Sequence, residues 1–89
     1  MAHSTLSITF SIQAQQWRDG QFTIPIEYCK LLGVDAGDKV ALSVRAWNTP
    51  QPLYTGTEEL KSGNEVYSDK LRDAVKAGLQ LIVEVASIA

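Results

Sequence analysis

The sequence predicts a mainly β domain with two short helices, an α+β body assembled from two equivalent halves. Three observations point there. Long segments alternate apolar and polar residues with a period of two. Two short segments carry apolar residues at helical spacing. The same short unit also occurs twice. Trp17-Arg18-Asp19-Gly20-Gln21 lines up with Leu60-Lys61-Ser62-Gly63-Asn64, 43 positions later, and Tyr28, Leu31 and Leu32 fall on Leu71, Ala74 and Val75. A two-residue deletion then shortens the offset to 41, so that Ala36-Gly37 falls on Ala77-Gly78, and Val40, Leu42 and Val44 fall on Leu81, Val83 and Val85. Identity is low but residue type is kept, as expected of a pseudo-symmetric body whose surfaces come in pairs. Chance matching of two ordinary strand–turn–helix–strand segments is the competing explanation.

The elements follow in order. Leu6, Ile8, Phe10, Ile12 and Ala14 alternate with polar residues, which is the pattern of a half-buried strand. Asp19-Gly20 is a turn signal and Phe22-Thr23-Ile24 a short returning strand, so a hairpin is expected over 6–24. Pro25 suits a helix start, Tyr28, Leu31 and Leu32 make one apolar face, and Gly33 can take the left-handed stop. Val40, Leu42, Val44 and Ala46 alternate again and predict a long strand. Pro50 and Pro52 mark a linker over 48–52 between a first half-unit, 6–47, and a second, 53–87, within a single domain, 1–89. In the second half, Leu53–Thr57 reads as a strand, 58–63 as a polar turn, and Glu65–Tyr67 as a short strand. Ser68 is an N-cap for a helix with Leu71, Ala74 and Val75 buried and Gly78 at its end, and Leu79–Val85 forms the last strand. Helices this short do not cover a parallel sheet, so the order implies interleaved β structure rather than a doubly wound sheet.

Bulk properties narrow the function. The chain has 89 residues, enough for one domain but marginal as an independent body, so dimerisation or intimate interlocking is expected. No apolar run reaches the length of a membrane span, and the N-terminus lacks the basic-then-apolar pattern of a secretory signal. Cys29 is the lone cysteine, and together these features imply a cytoplasmic setting. The net charge of −2 lowers the prospect of a strongly basic nucleic-acid binder, although a local basic patch can act against an acidic background.

Catalytic patterns are missing from the sequence. His3 is the sole histidine and has no nucleophile at meaningful spacing, zinc ligands are too few, and no phosphate-binding glycine loop occurs. Asp69 and Asp73 are interspersed with Lys70 and Arg72, as on a solvated helix face, and Glu58-Glu59 lacks a partner acid. The expectation is a non-enzyme without cofactor or metal.

Gly20-Gln21-Phe22-Thr23-Ile24-Pro25, then Leu31-Leu32-Gly33, then Ala36-Gly37-Asp38-Lys39-Val40 resembles the AbrB/MazE/SpoVT swapped-hairpin family. The resemblance covers roughly residues 8 to 46. The second half fits loosely: Ser68 stands in place of the proline, and Leu79 follows Gly78 where the family has aspartate. The resemblance implies a swapped-hairpin, barrel-like body. Here it would be closed within one chain as a pseudo-dimeric monomer, or formed as a homodimer by exchanging halves. It also implies a small DNA-binding transcription regulator or antitoxin-like protein, with double-stranded DNA as partner.

In that family the DNA-facing surface lies on the first hairpin and its turn. This puts Gln15, Gln16, Arg18 and Gln21 forward as DNA-contacting residues, with Lys61 and Asn64 as the repeat equivalents of Arg18 and Gln21. Cations hold phosphates and amides read base edges, so the residue types suit the task. Asp19 beside Arg18, and Glu58 and Glu59 before Lys61, equally fit ordinary solvated turn charges. A second reading is a protein-interaction module on the same fold without DNA binding, using Trp17, Trp47 and Tyr54 as exposed aromatic anchors. A cover over the barrel edge near the linker is the preferred role for Trp47, and the match of Trp17 to Leu60 favours apolar packing.

Overall fold

The computed structural model describes residues 7–13, 16–18, 20–75 and 80–88. Expectations resting on His3, Leu6, Ala14, Gln15, Asp19, Ala77, Gly78 and Leu79 lie outside the described residues. The order is β1 (Ser7–Ile12), β2 (Gln21–Thr23), α1 (Ile26–Leu32), β3 (Lys39–Ala46), β4 (Tyr54–Glu59), β5 (Glu65–Tyr67), α2 (Asp69–Ala74) and β6 (Leu81–Ser87). The sequence β-β-α-β therefore occurs twice, in a mainly β molecule with two short helices.

Four strands form one antiparallel sheet in the order β1-β6-β3-β4, and β2 pairs with β5 in a separate two-stranded ribbon. Each of these pairings joins a strand from before the linker to one from after it. The strands are arranged so because each half offers one long apolar strand, β3 or β6, and these bury best against each other. Leu42 faces Val85 and Val44 faces Val83 at the centre of the sheet, and these residues, with Val40 and Leu81, are at most 3 % exposed. The rows run on to Ile8 and Phe10 of β1 and to Tyr54 of β4. Phe22, Ile24 and Val66 from the ribbon and Leu32, Leu71 and Val75 from and beside the helices complete the core.

Several expectations are corrected. The hairpin over 6–24 does not form: β1 finds six register partners on β6, whereas β2 has three residues and pairs with β5. What remains of the hairpin is its turn, closed by reciprocal backbone bonds between Arg18 and Gln21 of 3.0 and 3.1 Å. The expected barrel is not closed, since the strands divide into two sheets. The polar stretch 58–63 is partly strand, because Glu58 and Glu59 continue β4 against Val40 and Lys39. On α1 the buried residues are Cys29 and Leu32, with Tyr28 half-buried and Leu31 67 % exposed. Ala74 is exposed as well, while Leu71 and Val75 are buried as the spacing predicts. These helices have seven and six residues, so each rests on a face narrower than its apolar spacing suggests.

The helix boundaries follow their capping chemistry. Pro25 is the residue before the first turn of α1, with its φ of −53°, and Gly33 closes that helix in the left-handed conformation at φ 72°. The Ser68 hydroxyl accepts from the Leu71 N–H at 3.4 Å at the start of α2. Among the described residues no helix is long and apolar enough to cross a membrane.

Gly20 has a double requirement. Its φ is 91°, and a Cβ there would lie 2.7 Å from the Arg72 Cβ and 2.8 Å from the Ser68 carbonyl oxygen. Gly37 has a similar φ of 97° with nothing within 4 Å of the added carbon. Gly37→Ala is expected to cost about 1–2 kcal/mol through backbone strain, and Gly20→Ala distinctly more, because turn and helix must part. Urea titration of both variants checks this, and equal losses would contradict the close approach.

Candidate nucleic-acid interface

The ribbon β2–β5 carries the candidate residues, because both turns lead into it. Its register sets Gln21 opposite Tyr67 and Thr23 opposite Glu65. The strands run antiparallel, so the turn before β2 and the turn before β5 sit at opposite ends of the ribbon. Arg18 and Lys61 are therefore held apart by the ribbon's length rather than gathered into one patch. Each side chain is exposed. The ion pairs among the described residues are those of Arg72 with Asp69 at 3.5 Å and with Asp73 at 3.4 Å, so no described carboxylate neutralises Arg18 or Lys61 at contact distance.

The roots of both turns are apolar. Trp17 and Leu60 are 7 % and 0 % exposed, and the Trp17 ring stacks on Phe22 at 6.1 Å between centroids. The expected exposure of Trp17 as an interaction residue is thus corrected in favour of its packing role. Each turn is pinned from within by its aromatic or aliphatic root, and its cation projects outward.

The two turns differ by one residue. Arg18 bridges to Gln21, but Lys61 bridges to Glu65, with Gly63 and Asn64 both at positive φ in between. Gln21 therefore matches Glu65, not Asn64 as the ungapped repeat implies. The Asn64 carbonyl accepts from the Ile24 N–H at 2.9 Å, and Asn64 lines a separate cleft with Lys30 and Asp35. Gln16, Arg18 and Gln21 converge instead on a groove of about 450 Å³ shared with Glu65. Their amides are partly committed: Gln16 Oε1 accepts from the Gln13 N–H at 2.8 Å, and Gln21 Nε2 donates to the Glu65 carboxylate. Gln15 lies outside the described residues.

Two cations that the motif reading passed over flank the turns. Arg72 of α2 packs against Gly20, and Lys30 of α1 shares a cleft with Asn64. Each helix thus brings a cation to the turn of the other half. The signal for this is tertiary, since it depends on the crossing of the halves. Arg72 is tied to Asp69, Asp73 and the Tyr67 hydroxyl, which also donates to Asp69 at 2.6 Å. That hydroxyl is held above its ordinary pKa, first by this bond to the carboxylate.

Outside the turns, the remaining aromatic candidates separate. Trp47 is 61 % exposed, whereas Tyr54 is 9 % exposed, which removes it as a surface anchor. Arg45 donates to the Thr49 carbonyl at 3.1 Å and so braces the linker. Cys29 is buried, its thiol directed to the Ile24 carbonyl at 3.9 Å, and burial, then the nearby Asp35 charge, pushes its pKa up. A thiol held protonated and enclosed is a poor nucleophile. Among the described residues no group of three or more His, Cys, Asp or Glu is placed to hold a metal ion.

No protein-family model matches the chain, and no curated protein matches it. Among solved structures, it is similar to the solution structure of PHS018 from Pyrococcus horikoshii, at 24 % identity and a TM-score of 0.67, over 98 % of this chain and 94 % of that one. At this identity the likeness speaks to the fold.

Tyr54 yields a test of the neighbouring architecture. Its ring lies over Gly56, where an added Cβ would meet the hydroxyl at 2.5 Å, and that hydroxyl donates to Glu58. Burial first, and then the Glu58 carboxylate, raise its pKa above the ordinary value of 10. A tyrosine whose folded pKa is raised contributes stability that is complete below the unfolded pKa, near 10, and is lost as pH climbs through the folded value. Stability measured from pH 8 to 12 (about two units either side of that value) should fall more steeply for wild type than for Tyr54→Phe above pH 10. Parallel curves would contradict the buried Tyr54–Glu58 contact.

Proposed function

We propose that this chain is a small non-enzymatic DNA-binding regulator, or antitoxin-like protein, of the swapped-hairpin AbrB/MazE/SpoVT class. Its two half-units play the part of two interlocked subunits. The observation that carries the reading is the pair of exposed cations, Arg18 and Lys61, on equivalent turns at opposite ends of the β2–β5 ribbon. The pairing of every strand across the two halves supports the class, since exchange of strands between two short units is what the family resemblance implies. Arg18 and Lys61 would each hold a phosphate. Gln16 and Gln21, in the groove beside Arg18, would be the amides nearest to base edges.

The chemistry sets the strength. Two principal phosphate contacts and a net charge of −2 make a weak, salt-sensitive binder rather than a tight one. A second reading, a protein-interaction module, has one specific observation in its favour. Trp47 and Leu53 stand 61 % and 39 % exposed on either side of the linker.

Fluorescence anisotropy on labelled mixed-sequence duplexes, from about 20 to 200 mM salt, separates the two readings. DNA binding should show a log–log salt slope of roughly −2, and Arg18→Ala or Lys61→Ala should each reduce that slope by about 1. Flat anisotropy at the lowest salt would overturn the DNA reading and leave the interaction module.

A further inference from the structure

The two edges of the four-stranded sheet are not alike. β4 ends in Glu58 and Glu59, its Gly56 is covered by the Tyr54 ring, and it touches β5 and α2. Charge and cover of this kind keep a strand edge from pairing with another chain. β1 lacks the charge. Its sequence, Ser-Ile-Thr-Phe-Ser-Ile, holds no charge, proline or glycine; α1 touches it, and among the described residues β6 is its one strand partner. Alternate backbone groups along such an edge point away from the sheet without a ladder partner.

The apolar surface around β1 is only partly covered by the described residues. Ile8 and Phe10 face the core side but are only half-buried, while their row neighbours Val85 and Val83 on β6 are fully buried. Phe10 packs on Tyr28 of α1, at 5.2 Å between ring centroids. Leu31 stands three residues from Tyr28, on the same side of the helix, at 67 % exposure. The helical spacing of Tyr28, Leu31 and Leu32 marks a buried face that this single chain fills only in part. The open edge, the half-covered Ile8 and Phe10, and the exposed Leu31 therefore form one continuous border.

We propose that β1 pairs antiparallel with β1 of a second copy of this chain, making one continuous sheet, with Tyr28 and Leu31 packing over the seam. The strand is complementary to itself. Residues directly opposite in an antiparallel pair share a face, so the register must centre on a residue. Centred on Phe10, it sets Ile8 against Ile12 of the partner subunit and Thr9 against Ser11 of the partner subunit. All apolar side chains then lie on the core face and all hydroxyls on the outer one. The groove of about 450 Å³ that Phe10, Ser11 and Ile12 share with Gln16, Arg18 and Gln21 leaves room along the C-terminal part of the edge for the incoming strand, so this dimer and the DNA contact proposed beside Arg18 exclude one another. This dimer exchanges no halves. It joins two finished bodies at their unguarded edges.

Sedimentation velocity on the full chain, from about 1 μM to about 1 mM, tests it. Wild type should convert from monomer to dimer within that range. Thr9→Lys/Ser11→Lys sets lysines against each other across the seam on an exposed face and should remain monomeric throughout. Thr55→Lys/Thr57→Lys, the same change on the exposed face of β4, should dimerise like wild type. Circular dichroism confirms that each variant is folded. A wild type monomeric at the highest concentration overturns the proposal, as does a dimer that the β1 variant keeps or the β4 variant loses. A monomer that binds the acetylated, amidated hexapeptide of residues 7–12 without self-association would also overturn it, in favour of an edge that accepts foreign peptides.

Discussion

The pairing of β3 with β6 is the contact on which the other elements lean. Each strand supplies three alternating apolar residues, and both flanking strands, β1 and β4, hang from this pair. Because β3 belongs to the first half and β6 to the second, the sheet exists only when the halves have met. The ribbon obeys the same constraint, since β2 has no described strand partner except β5. Burial of apolar side chains supplies the driving force, at roughly 25 cal/mol per Å² removed from water. In this chain most of that burial occurs across the junction between halves. A body built this way need not store stability in either half alone, which suits a chain of 89 residues.

The same constraint organises the surface. Crossing the halves sends the two turns to opposite ends of a three-residue ribbon and brings a helix of one half over the turn of the other. Trp17 and Leu60 anchor the turns from below, so that Arg18 and Lys61 project from fixed backbone. A doubled, spaced pair of cations on rigid turns differs in kind from a single basic patch. It is poor at non-specific attraction and suited to two separated anions. The sheet edges carry a second asymmetry, since one edge, β4, ends in charge and is capped by an aromatic ring, and the other, β1, carries no charge.

Much of this was legible in the residues. Period-two alternation gave β1, β3 and β6, and the glycine-marked turns marked the starts of the short strands β2 and β5. The repeat offset of 41 correctly matched the buried Val40, Leu42 and Val44 to Leu81, Val83 and Val85. Strand partners were not legible, because alternation says which face is buried and not against what. This is why a hairpin over 6–24 looked natural when β1 in fact seeks the longer apolar strand β6. The extra residue in the second turn was hidden as well: Gly63-Asn64 aligns readily with Gly20-Gln21 until the backbone bridges Lys61 to Glu65 where Arg18 bridges to Gln21. The local pattern marks Arg18 and Lys61 as exposed turn cations, whereas Arg72 and Lys30 reach the turns through tertiary crossing. Leu31 and Tyr54 were misjudged in opposite directions, since the spacing of one and the composition around the other do not specify which neighbour covers them.

Native-state hydrogen exchange on the intact chain, under increasing sub-denaturing urea, tests the interlocking most directly. If the halves depend on each other, the amides of Leu42 and Val44, of Val83 and Val85, and of Phe22 and Val66 should converge on one opening free energy with one urea dependence, as a single cooperative unit does. Protection that persists on one side of the linker after the other side has exchanged would show that one half stands alone, and would contradict the account.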